Sequence, residues 1–256
     1  MITVEKNNKI ATLTLNRPDV KNALNSQLIE NLNIELNKLK LESDVRVIII
    51  TGAGDTFCSG ADLKWLRDVS HFSFKENYDE SMRFIDLLNL INNHPKPIIA
   101  RVNGTAVGGG VGIMLASDII FASRDAKFGL SEVAIGIVPA AIIHFLINRI
   151  GETKARELLI TGNRIDTIEA ESIGLINYTA DLRLIDKGIK KLTDKIIRNG
   201  PKAITKVKEM INTLPHLSAM ETNDFIAKEI AELRTSDEGQ EGISSFLEKR
   251  KPRWVD

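Results

Sequence analysis

The sequence predicts an α/β fold: a strand–helix core followed by a mostly helical C-terminal part. Three observations lead there. Two short β-branched runs, Val45–Thr51 (VRVIIIT) and Ile98–Val102, have the unrelieved apolar character of strands buried on both faces. Each is followed by a glycine-rich segment and then by apolar residues at helical spacing, the alternation that builds a parallel sheet. From Gly151 onward helical periodicity dominates.

Taken in chain order, Ile2–Glu5 and Ile10–Leu15 are strand-like runs around Lys6-Asn7-Asn8-Lys9, which predicts a hairpin. A helix is predicted from about Ser26, where Leu28, Leu32, Leu36 and Leu39 recur at spacings of three and four. The Val45–Thr51 strand leads into GAGDTFCSGAD, read as a loop, and then a helix containing Trp65 and Leu66. Residues 77–91 read as helix, and Pro95 and Pro97 mark a break before the Ile98–Val102 strand. A helix through Met114 and a strand at Asp118–Ala122 complete a second strand–helix–strand unit. Further helices are predicted at Thr153–Thr161, Thr167–Ile173, Leu184–Ile197, Ala203–Ile211, Ser218–Leu233 and Ser236–Lys249. This divides the chain into a core over residues 1–195 and a helical lid or oligomerisation region over residues 196–256.

Composition narrows the function classes. The 256 residues carry 34 basic and 34 acidic side chains, so nothing favours nucleic acid or an anionic membrane surface as a partner. No apolar run approaches the roughly 20 residues that span a bilayer. The N-terminal stretch lacks the pattern of a signal peptide, and the single cysteine, Cys58, suits a reducing cytoplasm. His71, His94 and His216 show no metal-ligand spacing.

The glycine cluster Gly108-Gly109-Gly110, with Gly112 two residues on, invites three readings. A dinucleotide fingerprint is excluded, because Gly52-Ala53-Gly54 is followed by Phe57 where the third glycine belongs. A phosphate-binding loop is excluded because no Lys-Ser or Lys-Thr follows any glycine cluster. What remains is a strand-to-helix junction whose free N–H groups face a carbonyl oxygen, or simple close packing of helix on strand. A second junction of this kind lies at Cys58-Ser59-Gly60-Ala61-Asp62-Leu63. The segment FGLSEVAIG places one carboxylate, Glu132, in apolar surroundings, suited either to general acid–base chemistry or to capping a helix after Ser131.

Together these stretches resemble the crotonase, or enoyl-CoA hydratase/isomerase, family. The matching pieces are LNRPDVKNAL, FCSGADL, PIIARVNGTAVGGGVGIMLASDIIFAS, FGLSEVAIGIVPA, TGNRIDTIEAESIGL and FLEKRKPRW, in order along nearly the whole chain. The resemblance implies a spiral of β-β-α units with a helical C-terminal region, trimers or dimers of trimers, an acyl-CoA thioester substrate and no metal or redox cofactor. It places the oxyanion-hole N–H groups at Ala61 and Gly109 and the catalytic carboxylate at Glu132. It puts Gly60, Asp62, Gly108, Gly112 and Pro139 around the substrate and Lys64 near the CoA nucleotide. Two departures accompany it. Gly112 stands where the best-known hydratases carry a second glutamate, and Ala140-Ala141-Ile142-Ile143-His144 replaces a glycine-rich run. A single carboxylate suits either a 2-enoyl-CoA hydratase or a Δ3,Δ2-enoyl-CoA isomerase, and a non-catalytic acyl-CoA binder is the third possibility. The combination GGGVG and SEVAIGIVPA most resembles bacterial hydratases of the methylglutaconyl-CoA type. His144 is the nearest additional proton donor by sequence, or a structural histidine. Trp65 and Phe84 are core or acyl-pocket residues, and Asp118 is a hydrogen-bonding support.

Overall fold

A computed structural model describes residues 1–255. The hairpin pairs β1 (Ile2–Asn7) with β2 (Ile10–Leu15) in antiparallel register, Asn7 opposite Ile10. Its turn is tighter than the four residues expected, because Asn8 and Lys9 both adopt positive φ, as a two-residue turn matching strand twist requires. Helix α1 (Ser26–Leu41) starts where the Asn25 side chain accepts the Leu28 N–H. It buries Leu28, Leu32, Leu36 and Leu39, each contributing about 1.5–3 kcal/mol relative to exposure.

Three double strands follow. β3 (Val47–Gly52) turns into β4 (Thr56–Cys58), β5 (Ile98–Val102) into β6 (Thr105–Val107), and β7 (Ile119–Ser123) into β8 (Lys127–Gly129). The first member of each pair joins a six-stranded sheet, and the second joins a four-stranded one. With β10 (Tyr178–Ala180) at its far edge, the large sheet runs β1-β2-β3-β5-β7-β10; β9 (Arg164–Asp166) completes the small sheet, β4-β6-β8-β9. Helices α2 (Leu63–Val69), α3 (Phe74–Asn92), α4 (Gly109–Ala116) and α5 (Ala140–Thr161) close successive coils, α5 bending at Gly151. The result is the expected spiral of β-β-α units. Residue patterns had suggested only the large-sheet strands; β4 lies inside the segment read as a loop.

The inner strands β3 and β5 of the large sheet are buried on both faces, which explains their unbroken apolar runs. One face packs against the leucine-rich core under α1, α3 and α4. On the other, Val47, Ile49, Ile99 and Phe121 meet Ile185 and Ile189 of α7 (Leu182–Arg198). After α6 (Thr167–Ser172) and α7 come α8 (Pro201–Thr213), α9 (Ala219–Thr235) and α10 (Asp237–Leu247). Polar anchors tie α8 to the core. Lys208 Nζ donates to Asp118 Oδ2 at 2.6 Å, and Thr205 donates to the Pro95 carbonyl. The same Asp118 oxygen accepts the Ile98 N–H at 2.6 Å, so Asp118 is the supporting residue expected.

Candidate active site

Adjacent parallel strands bring the two glycine junctions together. β4 pairs with β6, Cys58 opposite Ala106, so both chains leave the small sheet at the same end. At that end Gly60 has φ +88° and Gly108 has φ +52° with ψ −121°, both conformations that a side chain opposes. A Cβ on Gly60 would stand 3.1 Å from the Val107 carbonyl oxygen and 3.9 Å from the Gly108 Cα.

The N–H of Ala61 is set by its neighbours. Residues 60–62 form a parallel bridge with Leu24: the Leu24 N–H donates to the Gly60 carbonyl at 2.7 Å, and the Asp62 N–H donates to the Leu24 carbonyl at 2.8 Å. In such a bridge the central residue turns its own N–H and C=O to the other side. No acceptor among the described residues takes the Ala61 N–H. Gly109 opens α4, so its N–H has no acceptor within the helix and lies at the positive end of the helix dipole. A Cβ there would meet Leu24 Cδ1 at 2.6 Å and Phe84 Cζ at 3.3 Å, which places Phe84 on the border of the junction. Trp65, on α2, has a buried indole N–H without a partner.

Glu132 arrives from the third coil. β8 lies beside β6, the Gly108 N–H donates to the Gly129 carbonyl at 2.8 Å, and a 3-10 turn at Glu132–Ile135 follows. Its carboxylate is directed at the junction: a Cβ on Gly108 would stand 2.7 Å from Glu132 Oε1. Glu132 Oε2 is buried with no hydrogen-bond partner. Burial pushes the carboxyl above the usual glutamate range. Ser131, the cap residue the sequence offers, makes no side-chain cap at this turn. Three sequence-distant segments thus converge: two unpaired backbone donors beside one desolvated carboxyl group.

The other candidates divide. Asp62 caps α2 through the Lys64 N–H and pairs with Arg17 at 2.7 Å. Burial alone would raise its carboxyl, but Arg17 and these N–H bonds bring it below the usual aspartate range. Lys64 is exposed on the first turn of α2, and Pro139 is buried at the start of α5. Gly112, expected beside the substrate, instead faces other helices. A Cβ there would stand 3.0 Å from Ile142 Cγ1 and 3.4 Å from Leu88 Cδ1. The two sequence departures are therefore one feature: Ile142, from the segment after Pro139, packs against the missing side chain at 112. His144 lies two residues beyond Ile142, about 200° around the helix, and is exposed, so it faces away from Gly112.

Sequence reasoning assigned no role to Arg17 and Asn22, although both lie in LNRPDVKNAL. Asn22 is fully buried with φ +56° and donates to the Ala53 and Thr56 carbonyls at 2.8 and 2.7 Å.

Known proteins match both the sequence and the fold of this chain. Residues 5–256 match the family profile described as enoyl-CoA hydratase/isomerase. The short-chain-enoyl-CoA hydratase of Clostridium acetobutylicum is 31% identical over 252 residues, covering 98% of this chain and 95% of the relative. The crystal structure of an enoyl-CoA hydratase from Shewanella pealeana superposes with a TM-score of 0.96 at 31% identity, over 99% of this chain and 95% of that one. Pseudomonas aeruginosa AtuE gives the same TM-score and identity, over 100% of this chain and 99% of that one. With a crotonase fold, a profile match over nearly its whole length and these relatives, the chain is an enzyme of the enoyl-CoA hydratase/isomerase family.

Proposed function

We propose that the enzyme hydrates a 2-enoyl-CoA thioester, with Glu132 as its only catalytic carboxylate. The observation that carries this is the desolvated Glu132 carboxyl against Gly108, one of its oxygens buried without a partner, next to the Ala61 and Gly109 donors. In this reading the two N–H groups bind the thioester oxygen and stabilise the negative charge that grows there. Glu132 takes a proton from water as the water oxygen bonds to the β-carbon and the alkene electrons move onto the carbonyl oxygen. The resulting enolate collapses as the proton taken up by Glu132 is passed, directly or through water, to the α-carbon, which restores the ionised carboxylate. Lys64, exposed beside the junction, is the proposed contact for the CoA nucleotide. Gly60, Asp62, Gly108 and Pro139 shape the substrate site, with Asp62 acting through Arg17. A branched acyl group of the methylglutaconyl kind is the first substrate to assay, on the strength of GGGVG and SEVAIGIVPA.

Isomerisation of a 3-enoyl-CoA is the second reading, favoured by Ile142 packing where a second carboxylate would need room. Incubation with 2-enoyl and 3-enoyl thioesters separates the two. Hydration removes the absorbance of the conjugated thioester. An enzyme that only generates that absorbance from the 3-enoyl ester is an isomerase, and one that binds both without turnover is a non-catalytic acyl-CoA binder.

Glu132→Gln should lower kcat by about 10²–10⁴-fold while thioester binding survives. The acid limb of the wild-type kcat/KM profile should lie above the ordinary glutamate value of about 4.3, because the base must be ionised. Stability should move the other way. A carboxyl with a raised folded pKa favours the fold below its unfolded pKa, and that contribution is lost as pH rises through the folded value. At neutral pH ionised Glu132 opposes folding, so Glu132→Gln should raise Tm.

We further place the enzyme in the cytoplasm as a trimer or dimer of trimers, with residues 196–256 serving as the lid and oligomerisation layer. Helix α8 buries no side chain fully, and Val207, Ile211, Met220, Phe246 and Leu247 are exposed along the C-terminal helices. Surfaces of this kind fit association between copies. Light scattering that gives a monomer mass would remove this part of the proposal.

A further inference from the structure

We propose that Arg17 is a positioning residue for the Ala61 N–H, acting through Asp62; this rests on the oxyanion reading of the site above. The 59–62 loop is held almost entirely by one neighbouring segment. The Ser59 N–H donates to the Lys21 carbonyl at 3.0 Å, and Leu24 exchanges backbone hydrogen bonds with Gly60 and Asp62. Arg17 bridges the two segments with its guanidinium: Nη2 reaches Asp62 Oδ2 at 2.7 Å and Nη1 reaches the Ala23 carbonyl at 2.6 Å. The bracing segment is itself anchored to the β3–β4 corner. The Arg17 N–H donates to Asn22 Oδ1 at 2.9 Å, while Asn22 Nδ2 donates to the Ala53 and Thr56 carbonyls. A continuous chain of contacts therefore runs from the β-corner through Asn22 and Arg17 to Asp62, the residue after Ala61.

The geometry gives Arg17 two effects. It fixes the rotation of the Gly60–Asp62 backbone, so the Ala61 N–H keeps its direction instead of turning back to a protein acceptor. It also neutralises Asp62, whose carboxylate stands one residue from the donor where negative charge develops. The pair is shielded, with side chains 18% and 12% exposed, so solvent does little to screen an unpaired charge there. A lysine could not replace this arrangement, because one ammonium lacks the planar fork that reaches both acceptors.

The test uses a 2-enoyl-CoA carrying ¹³C at the thioester carbonyl, bound to Glu132→Gln so that no turnover intervenes, with the carbonyl stretch read by infrared difference spectroscopy. Binding to Glu132→Gln should lower the stretching frequency. In Arg17→Met/Glu132→Gln the frequency should return toward its value in water, and Arg17→Lys/Glu132→Gln should fall between. With Glu132 intact, Arg17→Met should lower kcat by roughly 10–10²-fold with a much smaller change in KM. No frequency change in Glu132→Gln itself would overturn the oxyanion reading. A frequency lowered equally with and without Arg17 would leave that reading standing and overturn the role of Arg17. If Arg17→Met does not fold, Arg17→Lys decides alone: wild-type kcat and an unchanged frequency would overturn the proposal.

Discussion

At the β4–α2 junction the backbone around Ala61 is held by groups from residues 17–24, whereas at the β6–α4 junction the backbone around Gly109 is held by having almost no side chains. The first junction uses an arginine, a buried asparagine, a capping aspartate and a short parallel bridge. The second uses Gly108, whose backbone lies where other residues are strained, and the start of a helix that leaves its first N–H free. Both present one unpaired donor at the same end of the small sheet. The difference is in what each can lose. A side-chain brace fails by degrees as contacts are removed, but Gly108 fails at once when a Cβ is added.

Substitution of the glycines should expose that difference, beginning with the largest effect. Gly108→Ala should abolish most activity, by roughly 10²-fold or more, because a Cβ would stand 2.7 Å from Glu132 Oε1 and the backbone would have to leave φ +52°. It displaces the carboxylate and the Gly109 donor together. Steady-state kinetics with circular dichroism checks this: a folded variant of wild-type kcat would show that Glu132 and Gly108 need not touch.

Gly60→Ala should do less, about 10-fold on kcat. Its Cβ would stand 3.1 Å from the Val107 carbonyl oxygen, a tight contact that a few tenths of an ångström relieve, although φ +88° remains unfavourable. The braces from residues 21–24 and Arg17 remain to hold the loop. Combining Gly60→Ala with Arg17→Met should therefore cost more than the sum of the two in activation free energy, since each relies on the restraint the other removes. Additive effects would mean that the loop is not held through Arg17.

How much of this was legible in the sequence depends on burial and on length. Strands of the large sheet were visible because Val47–Gly52 and Ile98–Val102 are enclosed on both sides and therefore almost wholly apolar. The small-sheet strands β4, β6 and β8 are three residues each, too short for alternation to register, and they sit among turn-forming residues. Glu132 stood out as one carboxylate among apolar neighbours, and burial of its unpaired oxygen is the physical counterpart of that pattern. The bracing role of Arg17 was not visible, since its partner Asp62 lies 45 residues away and the ion pair exists only once β4 is placed. Nor could Gly112 be read alone, because its meaning lies in Ile142, thirty positions on.

That last pair supplies the smallest and most diagnostic prediction. Gly112 lies inside α4 and is fully surrounded, so alanine there would gain about 1 kcal/mol of helix propensity if it fitted. It fits only if Ile142 gives way, because its Cβ would be 3.0 Å from Ile142 Cγ1 and 3.2 Å from Cδ1. Ile142→Ala removes both atoms and should cost about 2–5 kcal/mol alone through the cavity it leaves. The double variant should recover part of that cost, with a favourable coupling of roughly 0.5–1 kcal/mol between the sites. Denaturant unfolding of the four proteins measures this directly. kcat for Gly112→Ala should stay within about two-fold of wild type, since no donor moves at the helix start. A glycine that affects stability through one isoleucine while sparing turnover belongs to the packing of α4 on α5; Gly108, four residues earlier, belongs to the chemistry. If Gly112→Ala lowered kcat as Gly108→Ala does, the boundary between those two roles would have to move into the helix.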